Sequence, residues 1–310
     1  MPSAFEAEPL TITQAGEVLR QAARDGRRVS IERAGGELVM STRYLNRLLE
    51  HEAGDLTVTV EAGMHLSALN ERLAEHGQML ALDPPGDPTL GAAIAGDLFG
   101  PRAHRYGRVR DLILGVTVVL ADGTVANAGG KVVKNVAGYD LAKLLCGSHG
   151  RLGLVVRASL RLHPRPETAR TLAVSVSTPD DARALVRTLI HSPLAPSAVD
   201  LVWNEEDSVL ALLFEGGAEA TSAQLERARS LLGGHEDGGI WNEVAARQLD
   251  SRSRGALAAG ELASALGELP RALVRIGPTC FAYLPQPYEQ PWSGLAERVR
   301  EQFDPGGVLA

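Results

Sequence analysis

Lysine is nearly missing from this chain. Of 31 basic residues only Lys131, Lys134 and Lys143 are lysine, and every other basic position is arginine. The net charge of -7 excludes the basic surface that a nucleic-acid binder needs. No apolar run is long enough to span a bilayer, and the first ten residues lack the basic and apolar regions of a signal peptide. A cytoplasmic protein is therefore expected. Cysteine occurs only at Cys146 and Cys280, without a CxxC, so a disulfide framework is excluded and buried, reduced thiols are expected. The scattered histidines show no ligand spacing, so no metal is expected. The few aromatics, among them Trp203, Phe214, Trp241, Phe281, Tyr283, Tyr288 and Trp292, read as core.

What is present is concentrated in residues 129–153, GGKVVKNVAGYDLAKLLCGSHGRLG. Leu141, Leu144 and Leu145 predict a short helix with these leucines on its apolar face, and Gly147 ends it. Gly147, Gly150 and Gly153 follow at regular spacing, and 154–162 alternates as a half-buried strand. The order helix, glycine turn, strand is the reverse of a Rossmann fingerprint, and the Gly-Lys-Ser/Thr of a P-loop is absent. Glycines still let backbone amides approach phosphate oxygens or a flat ring. The other reading is a run of turns that needs positive φ. All the lysines lie in this stretch, which favours a site wanting a compact ammonium, Lys134 above all. A subunit contact or chance is the alternative.

The rest of the chain supplies support. Residues 13–25 read as a helix, 27–31 and 56–63 as strands, and 66–76 as a helix stopped by Gly77. Pro84, Pro85 and Pro88 impose a rigid loop. Small residues crowd 89–100, so another group must lie against them, either a helix or a flat cofactor. Arg102, Arg105, Arg108 and Arg110 read as an exposed basic loop, and 111–128 as a hairpin around Asp122-Gly123. Pro164 and Pro166 mark a boundary. Beyond it strands at 172–177, 198–203 and 209–214 and helices at 180–191 and 221–232 suit a small ferredoxin-like cap; 251–269 is ambiguous. The expected domains are 1–165, 166–292 and a C-terminal return, 293–310.

Several linked motifs carry a resemblance: Gly36 to Arg47, Thr-Val-Glu-Ala-Gly at 59–63, His76 to Pro85, Tyr106 to Asp111, the glycine stretch and Phe303-Asp304-Pro305. Together they resemble the FAD-binding domain of the vanillyl-alcohol oxidase and p-cresol methylhydroxylase (PCMH) superfamily, and within it the E-type subunits of bacterial glycolate oxidase. The resemblance implies an α+β protein with two α/β subdomains holding FAD between them, followed by the antiparallel cap. By its pattern Gly91, Ala92, Ala95, Asp97 and Gly100 line the diphosphate and ring. Gly147, Ser148, Gly150, Gly153 and Val155 meet the adenine-diphosphate side, and Lys134, Asn135, Gly138, Tyr139 and Asp140 fall between. Gly35 and Gly36 belong to the first phosphate loop, which is cut here to residues 33–36. Asp97 stands where the pattern has Asn, placing a carboxylate near a doubly charged group, and Ala92 stands where it has Gly.

The resemblance also implies an FAD-dependent subunit of a 2-hydroxy-acid oxidase or dehydrogenase, assembled with a larger flavin subunit and an iron–sulfur subunit. Arg105, Tyr106, His149 and Lys134 are catalytic candidates, and no base is identified. The alternative is a cofactor-free structural subunit of the same kind of complex, which the shortened loop and Asp97 favour.

Overall fold

A computed structural model describes residues 5–32, 36–130, 141–204, 206–287 and 294–310. Alternating β-branched residues build its first half around two sheets. Phe5–Ala7, Leu38–Met40 and Val29–Ile31 form a small three-stranded sheet whose pairs run parallel. The helix Ile12–Asp25 lies between its first two strands in the chain, capped by the Thr11 hydroxyl and stopped by Gly26 at φ 63°. The second sheet is five-stranded and antiparallel, in the order Leu48–Glu52, Thr57–Glu61, Leu154–Arg161, Ile113–Val119, Val125–Gly129. Every residue of the strand Thr57–Glu61 is buried, because it is covered on both faces; strict alternation therefore hid a central strand.

The helices Leu66–Ala74, Leu90–Gly96 and Leu141–Leu145 contribute Leu69, Leu73, Ile94 and Leu145 to one core with this sheet. The last helix corrects the sequence reading. Ala142 and Leu145 are its buried residues, whereas Leu141 and Leu144 are exposed. In so short a helix docking by one small side chain decides the inward face, and counting leucines does not reveal it.

The second half is one seven-stranded sheet, in the order His235–Glu236, Thr168–Val176, Ser208–Gly216, Ala198–Asn204, Arg271–Arg275, Cys280–Leu284, Ser253–Leu257. The anticipated β-α-β-β-α run is its beginning, and the ambiguous 251–269 segment adds a strand and the helix Leu262–Glu268. Helices Pro179–Ile190, Ala218–Leu232 and Leu262–Glu268 share the core on one side, and Ile240–Asp250 packs into a separate cluster with Tyr283. The chain end returns to the first half. Leu309 bridges Val29, and the buried Asp304 carboxylate accepts from the Val308 and Leu309 amides at 2.8 Å. No helix among the described residues is long and apolar enough to cross a membrane.

Candidate functional site

The small residues after the proline loop form a tight helix, Leu90–Gly96, whose first turn is capped by the Thr89 hydroxyl. The glycine turn is stapled to this helix by the backbone: the Gly147 amide donates to the Ile94 carbonyl at 3.0 Å and the His149 amide to Ala95 at 2.8 Å. Positive φ at Gly147, His149 and Gly150 bends the turn back on itself. Between helix, turn and the small parallel sheet lies a cleft of about 220 Å³, lined by Ile31, Glu32, Thr42, Gly91, Ala92, Ala95, Gly96, His149, Gly150, Gly153, Leu154 and Val155.

Of the residues singled out in the sequence, Gly91, Ala92, Ala95, Gly150, Gly153, Val155 and the candidate His149 meet around this cleft. Gly36, Asp97, Gly100, Gly147 and Ser148 do not line it. Gly36 donates its amide to the Ser30 hydroxyl. Gly100 serves the fold, since a Cβ there would stand 1.9 Å from the Asp83 carbonyl. Gly147 packs beside Asp97, and the Ser148 hydroxyl and Asp97 Oδ1 are buried without a hydrogen-bond partner among the described residues. Gly35, Lys131, Lys134, Asn135, Gly138, Tyr139 and Asp140 lie outside the described residues. Gly150 has a packing role as well: its φ is 80°, and a Cβ would meet Ile31 at 3.0 Å.

Sequence reasoning missed Ile31, Glu32 and Thr42, which pairing of the parallel strands brings to the cleft. Among the described residues Glu32 is the only acidic or basic side chain on its lining apart from His149. Its Oε1 accepts from the Thr42 amide and, at 2.8 Å, from the Thr42 hydroxyl; Oε2 accepts from the Ser41 hydroxyl at 3.1 Å.

Arginine organises the junction between the two halves. Arg102 and Arg108 are half-buried at this junction, which corrects their reading as an exposed loop; Arg105 reaches toward it while remaining exposed, and Arg110 is exposed. Arg102 grips the Glu215 carboxylate at 2.7 Å, and Arg105 reaches the Glu215 carbonyl. Arg108 holds Asp97 Oδ2 at 2.8 Å, and Arg254 donates to the Asp97 carbonyl at 2.8 Å. Both guanidiniums also lie over the Phe99 ring. Burial pushes the Asp97 carboxyl up, while Arg108 and Arg254 oppose that. Asp97 is thus paired with two arginines of the protein itself. A second cleft of about 260 Å³ opens beside this cluster, with His104, Arg108, Arg275 and Phe281 on its walls. Tyr106 lies 4.8 Å from the His163 ring, and burial raises its hydroxyl pKa. Neither Arg105 nor Tyr106 faces the glycine cleft.

Residues 10–129 match the family profile described as FAD binding domain. Over 214 residues the chain is 33% identical to glycolate oxidase subunit GlcE of Escherichia coli, a match covering 68% of this chain and 59% of that protein. Over 161 residues it is 34% identical to the mitochondrial D-lactate dehydrogenase (cytochrome) 1 of Saccharomyces cerevisiae, covering 52% of this chain and 27% of that one. The chain thus spans only part of the curated relatives it matches. Among solved structures, an alkyldihydroxyacetonephosphate synthase superposes with a TM-score of 0.72 at 15% identity, covering 98% of this chain and 75% of the other. That likeness is one of fold.

Proposed function

We propose, on the premise that this chain belongs through residues 10–129 to the FAD binding domain family, that it is the FAD-binding subunit of a glycolate-type 2-hydroxy-acid oxidase or dehydrogenase. FAD is the cofactor of this domain, and the fold is the α+β, PCMH-type one. In this reading the subunit assembles in the cytoplasm with a larger flavin subunit and an iron–sulfur subunit. The observation that carries it is the reach of one likeness. The match to a protein that is by name a glycolate oxidase subunit runs for 214 residues, well beyond the matched FAD segment.

FAD supplies two-electron chemistry when bound. The cleft suits such a group in shape, since glycines and alanines keep its helix and turn walls low. Its described lining does not suit a diphosphate in charge, because Glu32 projects a carboxylate onto it and no lysine or arginine among the described residues offsets it there. No catalytic residue is assigned. Purification of the chain with its partner subunits tests the reading: bound flavin in the visible spectrum and dye reduction by glycolate or D-lactate are expected. A colourless, inactive but intact complex would instead establish the second reading, a cofactor-free structural subunit, which the Glu32 carboxylate favours.

A further inference from the structure

Glu32 is the feature of the cleft that an FAD site leaves unexplained. Its φ of 56° is a left-handed conformation uncommon outside Gly, Asn and Asp. From there its carboxylate collects the Thr42 amide and the Thr42 and Ser41 hydroxyls, the set of donors that an anionic oxygen of a ligand would take. Across the cleft, amides are already spent inside the protein: Gly91 donates to the Ala62 carbonyl, Ala92 to the Thr89 hydroxyl and His149 to the Ala95 carbonyl. Among the described residues the lining carries no lysine or arginine. A diphosphate entering this space meets a carboxylate and competes with it for the same donors, and like charges repel more strongly in a walled cleft than in open water.

Resting on the FAD reading, we infer that Glu32 is a built-in anion that occupies the diphosphate position, so that cofactor loading requires its side chain to leave Thr42 and Ser41. The bound state then exchanges one anion for another on the same donors. Glu32 sets the affinity for FAD from inside the protein, and removing its charge makes loading easier.

The full-length protein, stripped of flavin, is titrated with FAD and followed by flavin fluorescence. The variants are Glu32→Gln, Glu32→Ala and the charge-matched control Glu75→Gln, whose side chain is exposed on the helix side of the same half. Thermal melts of each verify folding. The expected result is a Kd about tenfold or more lower in both Glu32 variants, and unchanged in the control. Inorganic pyrophosphate should raise the Tm of Glu32→Gln and leave wild type where it was. If wild type binds FAD and the folded Glu32 variants bind it equally or more weakly, the inference is overturned and the FAD reading stands, with Glu32 a spectator or a contact of the cofactor. If no folded variant and no wild-type preparation binds FAD, the FAD reading itself fails, and this inference with it.

Discussion

Replacing Arg275 with methionine removes the cation of an almost fully buried pair. The Arg275 and Asp200 side chains are 3% and 0% exposed, with closest atoms 2.8 Å apart. The Asp200 carboxylate accepts from Nε at 3.0 and 3.3 Å and from Nη2 at 2.8 Å, all of Arg275. The remaining donors reach the Phe99 carbonyl, the Tyr283 hydroxyl and Gln248 Oε1, each at 3.0 Å. One side chain therefore ties the seven-stranded sheet to the segment that follows the glycine-cleft helix. At an effective dielectric of about 20 the attraction within the pair is about 6 kcal/mol before desolvation. Deleting one partner of such a pair costs about 3–5 kcal/mol, because the other charge is left stranded. For a chain of this size that loss lowers Tm by roughly 5–8 °C. Pairing Arg275→Met with Asp200→Leu removes the stranded charge and should recover most of the loss. Scanning calorimetry of wild type, single and double variants decides the matter. A single variant within about 2 °C of wild type, or a double variant no better than the single one, refutes the reasoning.

Gly150→Val places a β-branched residue at φ 80° with its Cβ 3.0 Å from Ile31, so the flavin-free protein should lose about 1–3 kcal/mol; an unchanged melting temperature would show that the turn yields. Burial raises the Asp83 carboxyl to about 6 despite Arg102. A raised acid holds its proton more tightly in the folded state, so its contribution is present below about pH 4 and is lost as pH rises through about 6, at most about 3 kcal/mol. Asp83→Asn should flatten the fall in Tm across that window, and an identical slope in the variant would sink the assignment. Arg102→Ala strands the Glu215 carboxylate, whose side chain is 0% exposed, and should lower the urea midpoint by the equivalent of about 2–3 kcal/mol. Adding Glu215→Gln should restore part of that, and no restoration would show that the loss is one of packing.

Much of the fold was legible because its causes are local. Gly77 and Gly147 after apolar periods, and Asp122-Gly123 between alternating residues, specify stops and a hairpin through positive φ. The glycines and alanines at 91–95 and 150–153 were readable as close-approach positions for the same reason, and the structure gathers them at one cleft. The sequence could not say what each approach was for. Gly100 clears the Asp83 carbonyl and Gly153 clears Val118, contacts with the protein's own atoms that exist only after the sheets have paired. Nor could it place Glu32 and Thr42 opposite residues more than a hundred positions away, because that distance closes only where the small parallel sheet packs into one core with Leu154 and Val156. The arginines show the limit most plainly. Composition reveals many of them, but Arg102 with Glu215 and Arg254 with Asp97 are choices made by two packed halves of the chain, and Arg275 with Asp200 by the register of two paired strands. A charge has no sequence-local preference among partners of opposite sign, and burial at the junction selects which pair forms.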